Sequence, residues 1–229
     1  MIECKNINYR YPGAQNPVFN NLSCRVGDPG FHALFGQSGV GKSTFARMIA
    51  GQLNGFAGEI AGKEPKKIYY SYNLERLPGW SGVGEHIEKV TPEANKSGIS
   101  EIIESFGLSS CMDSGFSRLS LGQRNRVNLA RYLLQDFDLL IMDESLANVD
   151  EATREQIIFK IKAMFPEKSF LYISHSVAEV SRFCRNILVL RDFSKSPQTL
   201  TIEGRDNVRG TDVVKKDLEQ TMLEIVNAS

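Results

Sequence analysis

The chain has no C-x-x-C pair, no run of about 18 apolar residues of the kind that spans a bilayer, and no excess of either charge. Each absence narrows what it can be. Its four cysteines, Cys4, Cys24, Cys111 and Cys184, are scattered through 229 residues. That spacing excludes the clustered thiolates of a zinc site and the dense framework of a small disulfide-stabilised protein, so the thiols are expected to be reduced and partly buried. The start, Met1-Ile-Glu-Cys-Lys, lacks the basic region and apolar stretch of a signal peptide, and the expectation is a soluble, cytoplasmic chain. Lys+Arg and Asp+Glu balance at 27 each, so no global field draws the protein to nucleic acid or to an anionic membrane. The densest basic spot, Lys63-Glu-Pro-Lys66-Lys67, is short and reads as a solvated loop. The length suits one α/β core, or a core with a small insert, rather than two full domains.

What is present is organised around Phe31-His-Ala-Leu-Phe-Gly36-Gln-Ser-Gly39-Val-Gly41-Lys42-Ser43-Thr44. An apolar strand runs into a glycine-rich loop that opens a helix, and the spacing G-x-x-x-x-G-K-[ST] is complete. Gly36, Gln37, Ser38, Gly39, Val40, Gly41, Lys42, Ser43 and Thr44 are therefore the candidate phosphate cradle. Glycines let backbone N–H groups crowd around an anion, and the helix N-terminus adds partial positive charge. Lys42 reaches the outer phosphates and Ser43 is left for a magnesium ion.

Around that loop, Ile2–Tyr9 and Phe19–Val26 alternate as strands and suggest an antiparallel N-terminal layer. Tyr11 sits in the intervening turn, where an aromatic ring can stack on a base. Ile68–Tyr72 reads as a strand leading to Asn73 and the loop Leu77-Pro-Gly-Trp80-Ser-Gly-Val83. From Glu85 to Leu108 the pattern is helical, with Thr91-Pro92-Glu93 as a start signal and Gly107 as a stop. Leu119-Ser-Leu-Gly-Gln123 precedes an amphipathic helix that places Val127, Ala130, Leu133 and Leu134 on one face. Phe137–Met142 is too apolar to be half exposed and reads as a buried parallel strand ending in Asp143-Glu144. Ala152–Phe165 reads as a helix, Ser169–Ser174 as a strand ending at His175, Ile187–Leu190 as a strand and Asp212–Ala228 as a closing helix. Ser194–Pro197 has the composition of a short linker.

A phosphate loop followed by a hydrophobic strand ending in two acids is the sequence pattern of a nucleoside triphosphatase. Asp143 is placed to hold magnesium, and Glu144 to polarise the attacking water.

Gly36–Thr44, the five residues from Leu119 to Gln123, Leu139–Glu144, Asp150 and His175, in that order, resemble the nucleotide-binding subunit of ATP-binding cassette (ABC) transporters. The resemblance covers essentially the whole chain. It implies an α/β fold: a P-loop core with a mostly parallel sheet, an antiparallel N-terminal β layer and a helical subdomain inserted over about 85–135, all within one domain over 1–229. It further implies that Tyr11 stacks on adenine, that Asn73 contacts magnesium and water, that Glu144 is the catalytic carboxylate and that His175 contacts the terminal phosphate. Ser120, Gly122 and Gln123 would meet ATP held by a second subunit, with Asp150 on the loop that crosses to it. Three positions depart from the family pattern: Leu121 replaces a glycine, Asn73 a longer glutamine and Ser145 a proline.

By that resemblance the expected activity is magnesium-dependent ATP hydrolysis driving transport, of importer type because the cassette stands alone. The expected partners are a second ATPase subunit, polytopic membrane permease subunits and a substrate-binding protein, with the chain on the cytoplasmic face of the membrane. The alternative is a soluble cassette ATPase acting on ribosomes or DNA. It is disfavoured by the single cassette and the low net basicity.

Overall fold

The computed structural model describes residues 2–26, 28–62, 67–79 and 81–229. The expected basic loop, but for Lys67, and Trp80 of the loop after Asn73 lie outside the described residues.

Five strands form the parallel part of a six-stranded sheet: β3 (Gly30–Phe35), β5 (Ile68–Tyr72), β6 (Leu139–Asp143), β7 (Ser169–Ile173) and β8 (Asn186–Leu190). A sixth, β9 (Thr199–Glu203), adds antiparallel at the edge, giving the order β5-β6-β7-β3-β8-β9. Every residue of β6 and β7 is buried, which is why both read as unbroken apolar runs: strands covered on two faces have no solvent side to mark with polar residues. A separate sheet, β2-β1-β4, is antiparallel and consists of β1 (Ile2–Tyr9), β2 (Phe19–Val26) and β4 (Ala57–Gly62). Both early strands match the sequence reading residue for residue.

Helix α1 (Lys42–Ile49) follows the glycine loop, and its Phe45, Ala46 and Met48 join Leu34, Ile141 and Ile173 in one apolar layer beneath the antiparallel sheet. The other layer gathers α2 (Val83–Val90), α3 (Ile99–Ser105), α4 (Leu121–Leu133) and α5 (Glu151–Met164) around Val83, Ile87, Val127, Leu140 and Ile157. Helices α6 (Val177–Phe183) and α7 (Lys215–Ala228) pack on each other.

The helical stretch expected over Glu85–Leu108 is present as two α-helices, divided at the expected start signal Thr91-Pro92-Glu93. Thr91 is extended (φ −80°, ψ 126°) and ends α2, and a 3-10 turn over Glu93–Gly98 intervenes before α3. The cause is Pro92, whose ring disfavours helical backbone at the residue before it. Gly107 does end α3, at φ 61°, as its stop signal implied. The Ser194–Pro197 stretch is the β8–β9 hairpin connection rather than a linker, since Asn186 pairs with Glu203 and Leu190 with Thr199 across it. The closing helix begins at Lys215, three residues later than read from the pattern.

Candidate functional site

The loop between β3 and α1 is fixed by backbone contact. A Cβ on Gly36 (φ 153°) would stand 2.3 Å from the carbonyl oxygen of Leu190, so only glycine fits where the chain leaves the sheet. Lys42 is buried, and its Nζ donates to the carbonyls of Gly36 (2.8 Å) and Gln37 (2.9 Å). Burial holds the ammonium pKa below its usual value, against the opposing pull of Asp143 and Glu144. Gln37, Ser38, Gly39 and Ser43 are exposed, with Val40 and Gly41 half-buried. Tyr11, exposed in its turn, sits edge-on to Tyr9, and its hydroxyl lies 2.9 Å from the Thr44 hydroxyl. This contact sets the aromatic turn beside the glycine loop.

Asp143 and Glu144 end β6 with different surroundings. Asp143 is buried and its Oδ2 accepts from the Tyr70 hydroxyl at 2.6 Å. Burial and that bond both push the Tyr70 phenol pKa upward. Glu144 adopts a left-handed backbone (φ 52°), a conformation that costs a non-glycine residue about 1–2 kcal/mol. It turns the carboxylate toward β7, where Oε1 lies 2.6 Å from His175 Nε2, a distance at which the imidazole N–H donates to the carboxylate. These strand-end residues are neighbours because β6 and β7 pair in parallel with Asp143 opposite Ile173.

Asn73 follows β5 and is half-buried; its N–H donates to the Asp143 carbonyl (3.0 Å) and its Oδ1 accepts from Asn125 Nδ2 (2.9 Å). Ser145, the departure from proline, is buried, and its hydroxyl lies 2.9 Å from the Ser71 carbonyl and 3.0 Å from the Ser71 hydroxyl. The polar substitution is absorbed by tying the ends of β5 and β6 together.

Ser120 is the N-cap of α4. Its Oγ accepts from the Gln123 N–H (3.2 Å), while the Gln123 Oε1 accepts from the Ser120 N–H (2.8 Å). This capping box was legible as S-x-x-Q, and the sequence reading missed it. Leu121, the departure from glycine, is exposed at the first turn. Gly122 packs inward: a Cβ there would lie 2.4 Å from the Asn148 carbonyl oxygen. Asp150 caps α5 by accepting from the Thr153 N–H at 2.9 Å, which lowers its carboxyl pKa.

The structure thus brings the glycine loop, Asp143, Glu144, His175 and Asn73 to one end of the parallel sheet, where open α/β sheets place their ligands. Ser120 and Gln123 are held at the head of α4 by their own capping bonds. Sequence reasoning also missed Tyr70, Asn125 and the pair Arg154–Glu179, whose bonds to Asp143, to Asn73 and to each other span 25 residues or more.

The glycine loop, the strand-end acids and the sheet order define a P-loop nucleoside triphosphatase. Residues 19–147 match the family described as ABC transporter, and the chain belongs to that family. It is 29% identical, over 87% of its length and 84% of the relative's, to an uncharacterized ABC transporter ATP-binding protein of Haemophilus influenzae. It is 32% identical, over 70% of its length, to the molybdenum import ATP-binding protein ModC of Brucella melitensis, and spans half of that relative. A solved ATP binding subunit of an ABC transporter superimposes with a TM-score of 0.80 at 18% identity, over 99% of both chains.

Proposed function

We propose that this chain is the ATP-hydrolysing subunit of an ABC transporter of importer type, one domain over 1–229 with residues 85–135 as its inserted helical block. The observation that carries the reading is Glu144 Oε1 standing 2.6 Å from His175 Nε2, on neighbouring strands beside the glycine loop. Gly36–Thr44 would wrap the triphosphate with backbone N–H groups, and Lys42 would exchange its two carbonyl partners for the outer phosphates. Tyr11, already set against Thr44, would stack on adenine. The Ser43 hydroxyl, Asp143 carboxylate and Asn73 amide oxygen form the all-oxygen donor set that suits Mg2+. When bound, that ion would neutralise charge on the phosphates. Glu144 would accept the proton of the attacking water, and His175 would hold the carboxylate and then the terminal phosphate by N–H donation.

Ser120, Gly122 and Gln123, at the head of α4, would meet ATP held by a second subunit, with Asp150 on the loop that reaches it. A membrane permease subunit would dock in the groove of about 390 Å³ lined by Leu74, Glu75, Leu77, Phe116, Arg124 and Asn128. Leu74, exposed there at φ 59°, offers an apolar anchor over the loop that carries Asn73. The import direction is supported by the molybdenum import relative, and a substrate-binding protein would belong to such a system. Among the described residues no helix is long and apolar enough to cross a membrane. That is compatible with a peripheral place on the cytoplasmic face, reached through the permease.

The test is phosphate release against protein concentration with ATP and Mg2+. A composite site gives specific activity that rises with concentration as dimers form, and Glu144→Gln with ATP gives a sedimenting dimer. Activity strictly proportional to concentration down to nanomolar levels, with a monomer throughout, would overturn the shared-site mechanism.

A further inference from the structure

We propose that Arg154 and Glu179 are positioning residues that set Glu144 against His175 by tying together the two loops that carry them. The proposal rests on the reading of Glu144 and His175 given above, and neither partner touches the reacting groups.

The connection can be followed bond by bond. Arg154, in the first turns of α5, donates through Nη2 to the carbonyl of Val149 (2.6 Å), in the loop that Glu144 begins. Through Nη1 it pairs with the Glu179 carboxylate at Oε1, on α6. The other oxygen of Glu179 accepts from the Tyr172 hydroxyl and from the Ser174 hydroxyl, both at 2.9 Å. Ser174 Oγ in turn accepts from the Ser176 N–H at 3.1 Å, so the residues on both sides of His175 are held. His175 Nε2 meets Glu144 Oε1 at 2.6 Å, and the circuit is closed.

Three physical features make this a geometric device. A guanidinium is a rigid planar fork with separate N–H groups, so one arginine holds a carboxylate and a carbonyl at fixed separation and orientation, whereas a lysine ammonium is a point donor on a flexible stem that fixes neither. Both side chains are largely shielded, with 24% and 13% of their surface exposed, and Arg154 Nε is buried with no hydrogen-bond partner among the described residues. Such a pair contributes little net stability once desolvation is counted. Third, Glu144 sits in left-handed backbone, which persists only where the surroundings over-determine it; the circuit supplies that constraint. Because Asp150 follows Val149 directly, the same bonds carry displacement of the subunit-facing loop to His175.

The experiment compares wild type with Arg154→Lys, Arg154→Met, Glu179→Gln and Glu179→Leu on the full chain. For Arg154→Met and Glu179→Leu, kcat should fall by about tenfold or more with KM for ATP nearly unchanged, since displacing reacting groups by a fraction of an ångström costs rate before it costs binding. Arg154→Lys keeps charge but loses the fork and should also lose kcat. The double variant Arg154→Met/Glu179→Leu should lose no more than either single change, because both cut one circuit. Amide hydrogen exchange gives a readout that needs no turnover: Arg154→Met should speed exchange at Ser176 as well as across 145–150, and Glu179→Leu should do the converse. Should the methionine variant fail to fold, Arg154→Lys and Glu179→Gln decide. Kinetics like wild type in these two, or faster exchange confined to the loop directly contacted, would overturn the proposal. A wild-type chain that hydrolyses no ATP would instead defeat the functional reading, with the exchange experiment still deciding the circuit.

Discussion

Asn125 donates its side-chain amide to the side-chain oxygen of Asn73 over 2.9 Å and to the Ala147 carbonyl over 2.6 Å. The oxygen expected to face magnesium is therefore engaged by its own chain, in a bond that also fastens the loop after β6. Releasing it should favour metal contact. Asn125→Ala, and Asn73→Gln with its extra methylene, are expected to lower the Mg2+ concentration needed for half-maximal phosphate release. A magnesium titration identical to wild type in both would show that Asn73 acts in loop contact alone.

Glu144→Gln should keep ATP binding and lose turnover by about 10²–10⁴-fold, the range over which general-base catalysis contributes. The amide has nearly the same shape and still accepts a hydrogen bond from His175, but it cannot take a proton from water. Nucleotide titration alongside single-turnover phosphate release checks this, and unchanged turnover would remove Glu144 from the role.

Gly122→Ala places a methyl group 2.4 Å from the Asn148 carbonyl oxygen, which is backbone. One of the two segments must move, and the expected cost is about 1–3 kcal/mol, as for other overpacked positions. A urea melt should show a lower midpoint with the slope retained. A midpoint equal to wild type would mean that the loop gives way freely.

Stability should fall on mild acidification. His32 is buried with Nε2 3.0 Å from the Asp28 carbonyl, and burial depresses its pKa from the ordinary 6.5. His86, whose Nε2 is buried with no hydrogen-bond partner among the described residues, is depressed chiefly by burial, then by Arg131 and Lys89. Between the folded-state pKa values and 6.5 the unfolded chain binds more protons than the folded one, so unfolding free energy declines as pH drops through that window and levels off below it. His32→Gln should flatten the decline, as read from urea midpoints between about pH 7.5 and 5. A slope unaffected by His32→Gln would assign the effect elsewhere.

The parts of the fold legible in the sequence were those in which a side-chain pattern answers to burial on one or two faces. The runs Ile2–Tyr9 and Leu139–Asp143 differ in this respect only in period, alternating in β1 and continuous in β6. Strand β4 escaped notice because Ala-Gly-Glu-Ile-Ala-Gly has no fully buried position. Strand β9 was hidden behind Pro197, and α6 is only seven residues long. In the candidate site, Lys42, Asp143, Glu144 and His175 were visible because their chemistry dictates residue type at short spacing from a strand end. Tyr70, Asn125 and the Arg154–Glu179 pair were invisible because the bonds that give them a role, to Asp143, to Asn73 and to each other, join segments distant in sequence. Only the three-dimensional path identifies them.

The four loops that carry the site leave from β5, β6, β7 and β3, which stand side by side in the sheet. Strands of a sheet lie about 4.8 Å apart, so the outlets are spread along a line of roughly 14 Å whose divisions are backbone hydrogen bonds. The sheet is thus a ruler, and side chains only choose what is held at each mark. Substitutions in the loops change the reading at one mark and leave the scale intact. A change in scale would require re-pairing strands, which the buried, continuous β6–β7 seam opposes.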